Sequence, residues 1–219
     1  VSCADALNAQ ISKKKAIVFA LLLAVISVIC IAVSCLDNPF AIIFIAVYFI
    51  LNLLYSFGLK NIPIIDVTIL ASGFLLRLLF GAGIANIEIS SWLYLTVLTL
   101  SFYLGLGKRR NELLKQSDRT RKVLKYYSFE FLDKTMYMFM AVAIVFYSLW
   151  CVDPITSARI ASQKLIWSVP FVIVILLRYS FIVEGDSDGD PADVILKDKP
   201  LLVFGFMYFI FITSLIYFC

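Results

Sequence analysis

The 219 residues are 62% hydrophobic and only 16% charged, with a mean hydropathy of +0.96, whereas a soluble domain is about half apolar and a quarter charged. A soluble globular fold is excluded, and a polytopic membrane protein is implied. The net charge of +4 suits anionic lipid headgroups or a phosphorylated substrate, and nothing in the sequence points to nucleic acid.

The chain opens on Val rather than Met, and its first twelve residues, VSCADALNAQIS, form neither a signal peptide nor a membrane span, so a segment upstream is expected. Seven apolar runs follow, at about 15–35, 39–54, 66–84, 91–107, 135–151, 165–182 and 200–218. Most approach the ~20 residues that cross ~30 Å of hydrocarbon; the second is short, and its boundary with the break at 55–65 is the least defined. None shows period-2 alternation, so the expected fold is an all-α membrane bundle of seven helices and not a barrel. With the N-terminal segment inside, fifteen Lys and Arg residues fall on that side and only Arg159 and Lys164 on the other. This asymmetry orients the chain in the cytoplasmic membrane, with its polar connections at 55–65, 107–134 and 183–199 facing the cytoplasm. The opposite connections are brief. Polar chemistry gathered on one face suggests a membrane-embedded site opening to the cytoplasm more than a channel.

The stretch Tyr55 to Arg77, YSFGLKNIPIIDVTILASGFLLR, holds three charges in an apolar neighbourhood: Lys60, Asp66 and Arg77. Arg77 lies eleven residues beyond Asp66, three helical turns and ~16 Å deeper, so Asp66, Gly73 and Arg77 share a helix face. Ionisable groups at such depth cost at least ~2.5 kcal/mol and mark functional sites; the plainer reading is an Arg that pairs with a neighbouring helix or snorkels. The next polar stretch, GKRRNELLKQSDRTRKVLKYYSFEFLDK, interleaves Leu113, Leu114, Val123, Leu124 and Tyr127 with basic residues, as a helical lid on the membrane surface would. Lys108, Arg109, Arg110 and Glu112 open it. Basic residues leaving a helix complement its dipole without any catalytic role, but a KRR cluster beside a Glu also suits a pyrophosphate gripped by Arg forks.

The last polar stretch, EGDSDGDPADVILKDK, spaces Asp186, Asp188 and Asp190 like the start of a calcium loop. Pro191 and Lys197 stand where an EF-hand needs Gly and Glu, which excludes it. A solvated acidic turn, a Mg²⁺ site for a phosphorylated substrate, or a site for sugar hydroxyls remain. There is no P-loop and no GxSxG, and no histidine for a triad. The five cysteines lack metal-site spacing and read as small packers.

Asn52, Tyr55, Ser56, Leu59 and Lys60, then Asp66, Gly73-Phe74, Arg77 and Gly81, then the segment from Phe102 to Glu112, and the late Leu177 to Tyr179 with Gly189 to Asp193 together resemble the UbiA superfamily of intramembrane prenyltransferases. Within it the pattern is most similar to decaprenyl-phosphate phosphoribosyltransferases, enzymes of an arabinan-precursor branch of cell wall biosynthesis. The resemblance covers essentially the whole chain as one domain. It implies a nine-helix fold around a cavity open to the cytoplasm and to the lipid. Against nine helices, seven runs leave the first two unaccounted for, together with the N-D-x-x-D-x-x-x-D motif that holds Mg²⁺, so an N-terminally truncated sequence is expected and the metal ligands are left unassigned. A basic cluster in place of the second aspartate-rich motif of aromatic-acceptor members suits an additional phosphate.

The implied reaction moves a 5-phosphoribosyl group from phosphoribosyl diphosphate to a polyprenyl phosphate, with Mg²⁺ as cofactor. The resemblance makes Lys60, Asp66 and Glu112 the candidate catalytic residues, and Tyr55, Arg77, Lys108, Arg109, Arg110, Asp190 and Asp193 the candidate substrate contacts. Two alternatives stand beside it: prenyl transfer from a prenyl diphosphate to an aromatic acceptor, and a non-catalytic transporter or scaffold.

Overall fold

A computed structural model describes residues 13–34, 38–114, 122–160, 163–185 and 190–218. Residues 1–12, the middle of the basic stretch, Asp186, Asp188 and Gly189 lie outside the described residues. Every regular element among those described is helical. In chain order they are α1 (Lys13–Ser34), α2 (Ile42–Phe57), α3 (Ile65–Ala85), α4 (Ser91–Leu114), α5 (Phe129–Val152), α6 (Pro154–Ile160), α7 (Val169–Glu184), α8 (Pro191–Lys197) and α9 (Lys199–Phe218). Short 3-10 turns at Pro39–Ala41, Leu59–Asn61, Lys122–Tyr126 and Gln163–Ser168 punctuate them.

The seven long helices coincide with the seven apolar runs, and among the described residues five segments are long and apolar enough to cross a membrane: Pro39–Phe57, Ile65–Ala85, Phe129–Val152, Lys164–Glu184 and Lys199–Tyr217. The protein is therefore an all-α polytopic bundle. The described side chains of α1 from Ile17 to Ile29 are almost all exposed, an apolar surface of the kind that faces lipid. By contrast, α4 is the inner helix, packed on α3, α5 and α7. Its hydropathy is diluted by buried Thr96, Thr99 and Ser101, whose hydroxyls donate to the carbonyls of Trp92, Leu95 and Val97 one turn back. Each is satisfied within its own helix, which is how hydroxyls are tolerated in an apolar interior.

The structure corrects the sequence reading at the end of α4. The helix does not stop at Gly107 but runs two further turns to Leu114, so Lys108 to Glu112 are helical and not part of a loop. Nor do the apolar residues after it lie on a surface: Val123, Leu124 and Tyr127 are buried in the core with Tyr103, Leu132 and Met136, while Leu114 is exposed. Close approach explains the tightness. A Cβ on Gly105 would sit 3.0 Å from Val67 Cγ1, and one on Gly107 would sit 3.3 Å from Met136 Sδ. Glycine at these two positions lets α3 and α5 come up against α4.

At the opposite end of the bundle, a neutral knot closes the packing. Tyr147 shares a 2.6 Å hydrogen bond with Ser168 and a 3.1 Å one with Tyr208, Ser168 donates to the Leu165 carbonyl, and the buried free thiol of Cys151 rests against Ser168.

Candidate functional site

The site grows from Asp66. It sits in the first turn of α3, where the helix dipole favours a carboxylate, and it is fully buried. The chain enters that turn through Ile64 at φ 69°, ψ −45°, a positive-φ conformation that is a true outlier for a β-branched residue and costs on the order of 1–3 kcal/mol. The Ile64 N–H donates to the Tyr127 hydroxyl, and that hydroxyl donates to Asp66 Oδ1 at 2.8 Å. One phenol thereby anchors the strained turn and the carboxylate together. Burial, and then its bond to Asp66, push the Tyr127 phenol up to about 12, so it stays a neutral donor.

On the other oxygen, Asp66 Oδ2 accepts from Arg109 Nε at 2.7 Å. Arg109 is itself fully buried. Its remaining nitrogens are also used: one donates to Glu112 at 2.7 Å and the other to the Tyr55 hydroxyl at 3.4 Å. Four predicted site residues, Tyr55, Asp66, Arg109 and Glu112, thus come from three helices into one network. An ion pair this deep does little for net stability, but removing one partner strands a buried charge.

Two further pairs flank it. Arg110 Nε donates to Asp133 at 2.7 Å while its guanidinium lies 4.6 Å from the Phe129 ring centroid. Lys108 Nζ pairs at 2.7 Å with Asp190, the N-cap of α8. Hydrogen bonding to Lys108 holds the Asp190 carboxyl below its usual range. Lys60 is exposed on its 3-10 turn, and no ion pair holds it among the described residues.

The structure leaves two predicted residues apart. Arg77 points its guanidinium at α2, donating to the Tyr48 hydroxyl at 2.7 Å and lying against the Tyr48 and Phe74 rings. It lines a cavity of about 440 Å³ with Gly81, Glu88 and Trp150, at the other end of α3 from Asp66. Asp193 is exposed and pairs with Lys197 one turn along α8. Sequence reasoning missed Tyr127 as a polar residue and did not single out Asp133. Tyr127 was read only as an apolar side chain of a lid, and its bonds span 61 and 63 positions, a separation no periodicity reveals.

The metal ligands, left unassigned by the sequence, stay unassigned among the described residues. No group of three or more His, Cys, Asp or Glu gathers among them, and Asp66, Glu112, Asp133 and Asp190 are each matched by a cation. Such a donor set suits binding through hydrogen bonds more than coordination.

No family model matches the chain. It is 32% identical over 184 residues to a decaprenyl-phosphate phosphoribosyltransferase of Mycolicibacterium smegmatis, covering 79% of this chain and 57% of the relative. It is also 32% identical to the Corynebacterium glutamicum protein of the same name (79% and 53% covered) and 28% identical to that of Mycobacterium tuberculosis (71% and 51%). The chain spans about half the length of these curated relatives, and its similarity to them supports the resemblance to the UbiA superfamily that its motifs carry.

Proposed function

We propose that the protein is a membrane transferase that moves a 5-phosphoribosyl group from phosphoribosyl diphosphate to a polyprenyl phosphate, with the site at the Asp66–Arg109–Glu112 end of the bundle facing the cytoplasm. The observation that carries this reading is a preorganised network of charge around the buried Asp66 and Arg109, beside two cations, Lys60 and Lys108, at the surface of that same end. The names of the homologues supply the substrate class. The excess of Lys and Arg on this side of the bundle supports the cytoplasmic orientation.

In the proposed step an oxygen of the lipid phosphate attacks the anomeric carbon. The bond from that carbon to the diphosphate oxygen breaks, and its electron pair leaves with the diphosphate. The nucleophile is already anionic near neutral pH, so no strong base is needed, in keeping with a chain that has no histidine. Lys60 and Lys108 offset charge on the phosphates, and their work is electrostatic and positional. Arg109 is saturated by Asp66, Glu112 and Tyr55, and so acts as a positioning residue that fixes the wall of the site. Asp190 takes a sugar hydroxyl. Mg²⁺ accompanying the diphosphate belongs to the proposal, with no ligand assigned among the described residues.

The test incubates membranes carrying the protein with polyprenyl phosphate and labelled phosphoribosyl diphosphate, or with labelled prenyl diphosphate and an aromatic acceptor. Label from phosphoribosyl diphosphate is expected in the lipid fraction, falling at least tenfold in Lys60→Ala, which removes charge stabilisation of the phosphates, and in Arg109→Ala, which strands the buried Asp66 and releases the wall of the site. Label from prenyl diphosphate alone, or full activity in both variants, sinks the assignment.

A further inference from the structure

Arg77 stands well inside α3, eight residues short of Ala85 and so ~12 Å along the axis from that end of the span. Among the described residues it makes no ion pair: its guanidinium donates to the neutral Tyr48 hydroxyl at 2.7 Å and lies against the Tyr48 and Phe74 rings. Arg109, Arg110 and Arg178, by contrast, each meet a carboxylate. A guanidinium without an anion is costly at this depth, and most of its N–H donors are left for a further partner.

That partner has room. Arg77 lines the cavity of about 440 Å³ with Leu78, Gly81 and Ala85, which fall on one stripe of α3, and with Leu93 of α4 and Trp150 of α5. The volume is that of a small-ligand site. At Gly81 the wall is open, since a Cβ there would meet no atom within 4 Å. The other charged residue on the lining, Glu88, lies beyond the end of α3 and is not paired with Arg77.

An apolar wall of small residues accepts a hydrocarbon chain, and one cation accepts one negative charge. A carboxylate takes two parallel N–H···O bonds from a guanidinium, and the resulting pair is neutral overall, which the low-dielectric setting favours. A phosphate monoester would bring a second, unmatched charge.

We infer that this cavity binds a single-chain lipid carboxylate, with its head on Arg77 and its chain along the Gly81 stripe. The site lies toward the end of α3 away from Asp66 and does not depend on phosphoribosyl transfer.

The test labels the 219-residue chain, in phosphatidylcholine nanodiscs at mildly alkaline pH, with a diazirine-bearing palmitate. Adducts are mapped by mass spectrometry while unlabelled palmitate, hexadecanol or phosphatidylglycerol competes. Saturable labelling of the segments that line the cavity is expected, displaced by palmitate and about tenfold or more less well by hexadecanol, which lacks the charge. Arg77→Met removes the cation and is expected to weaken palmitate by about tenfold or more. Gly81→Leu is expected to abolish the labelling by filling the cavity while the Arg77–Tyr48 bond stays in place. Its thermal midpoint is expected to hold or rise, because Leu is the better helix former and its Cβ meets no atom within 4 Å. Labelling that does not saturate, or that hexadecanol displaces as well as palmitate does, overturns the site, and neither arm needs a variant. Stronger displacement by phosphatidylglycerol overturns the carboxylate and gives the cavity to a phospholipid. Unchanged labelling in a folded Gly81→Leu protein puts palmitate elsewhere and also overturns the site.

Discussion

The two ends of the bundle solve the burial of polar groups in opposite ways. At one end Asp66 and Arg109 bury full charges that are satisfied by each other, Glu112 and two phenols. At the other, Tyr147, Ser168, Tyr208 and Cys151 share neutral protons. A neutral knot loses little when one member goes, because each hydroxyl both donates and accepts and can turn to another partner. A buried ion pair has no such reserve. The difference teaches that the first end is specialised: packing alone is met more cheaply by the second kind of network, so the charges at the first are there to hold a geometry.

Single substitutions break that comparison most directly at the charged end. Arg109→Ala is expected to destabilise the detergent-solubilised protein by about 3–5 kcal/mol, because Asp66 and Glu112 lose their shared cation, and thermal unfolding followed by circular dichroism measures it. Asp66→Asn combined with Arg109→Met should recover most of that loss while leaving the site without its fixed wall. At the neutral end Tyr147→Phe is expected to cost only about 1–2 kcal/mol, since Ser168 keeps its bond to the Leu165 carbonyl. A cost equal to that of Arg109→Ala removes the distinction between the two ends.

The smallest effect sharpens the comparison at the rim. Lys108 depresses the folded pKa of Asp190, so the pair contributes stability above the ordinary aspartate value of about 3.9 and loses it as pH falls through the lower folded value. Asp190→Asn keeps the N-cap, because Asn caps as well as Asp, and removes only the charge. Unfolding free energies of the two proteins are expected to differ by under about 1 kcal/mol near neutral pH and to converge as acid protonates Asp190. A gap that widens in acid means that the pair does not act as described.

The helices were legible because hydropathy decides what enters a membrane, and the seven runs match seven long helices within a few residues except where charge intervened. At Lys108 the apolar run ends while the helix does not, because Lys, Arg and Glu are good helix formers and the buried pairs at Arg109 and Arg110 support two more turns. Helical period placed Gly73 and Arg77 on one face, and both do meet Tyr48: a Cβ on Gly73 would sit 3.4 Å from its ring. Period could not say that Asp66 would turn to α4. Its partner lies 43 positions on, and the α3–α4 contact that joins them depends on the missing side chain of Gly105. The role of Tyr127 was invisible for the same reason, since a phenol in a basic stretch carries no mark of what it will touch.

The phenol of Tyr127 also sets an order in time. Asp66 enters the membrane interface on α3 before Arg109 and Tyr127, 43 and 61 residues later, have been made. At synthesis rates of about 5–20 residues per second, the carboxylate spends about two to nine seconds without either partner and about three to twelve before Tyr127 is made, while the Ile64 turn lacks its tether. The strained entry and the buried charge therefore become native together, only once the connection after α4 has been synthesised and folded back. A ribosome stalled shortly before Tyr127 would leave a nascent chain with its helices inserted and its site unassembled.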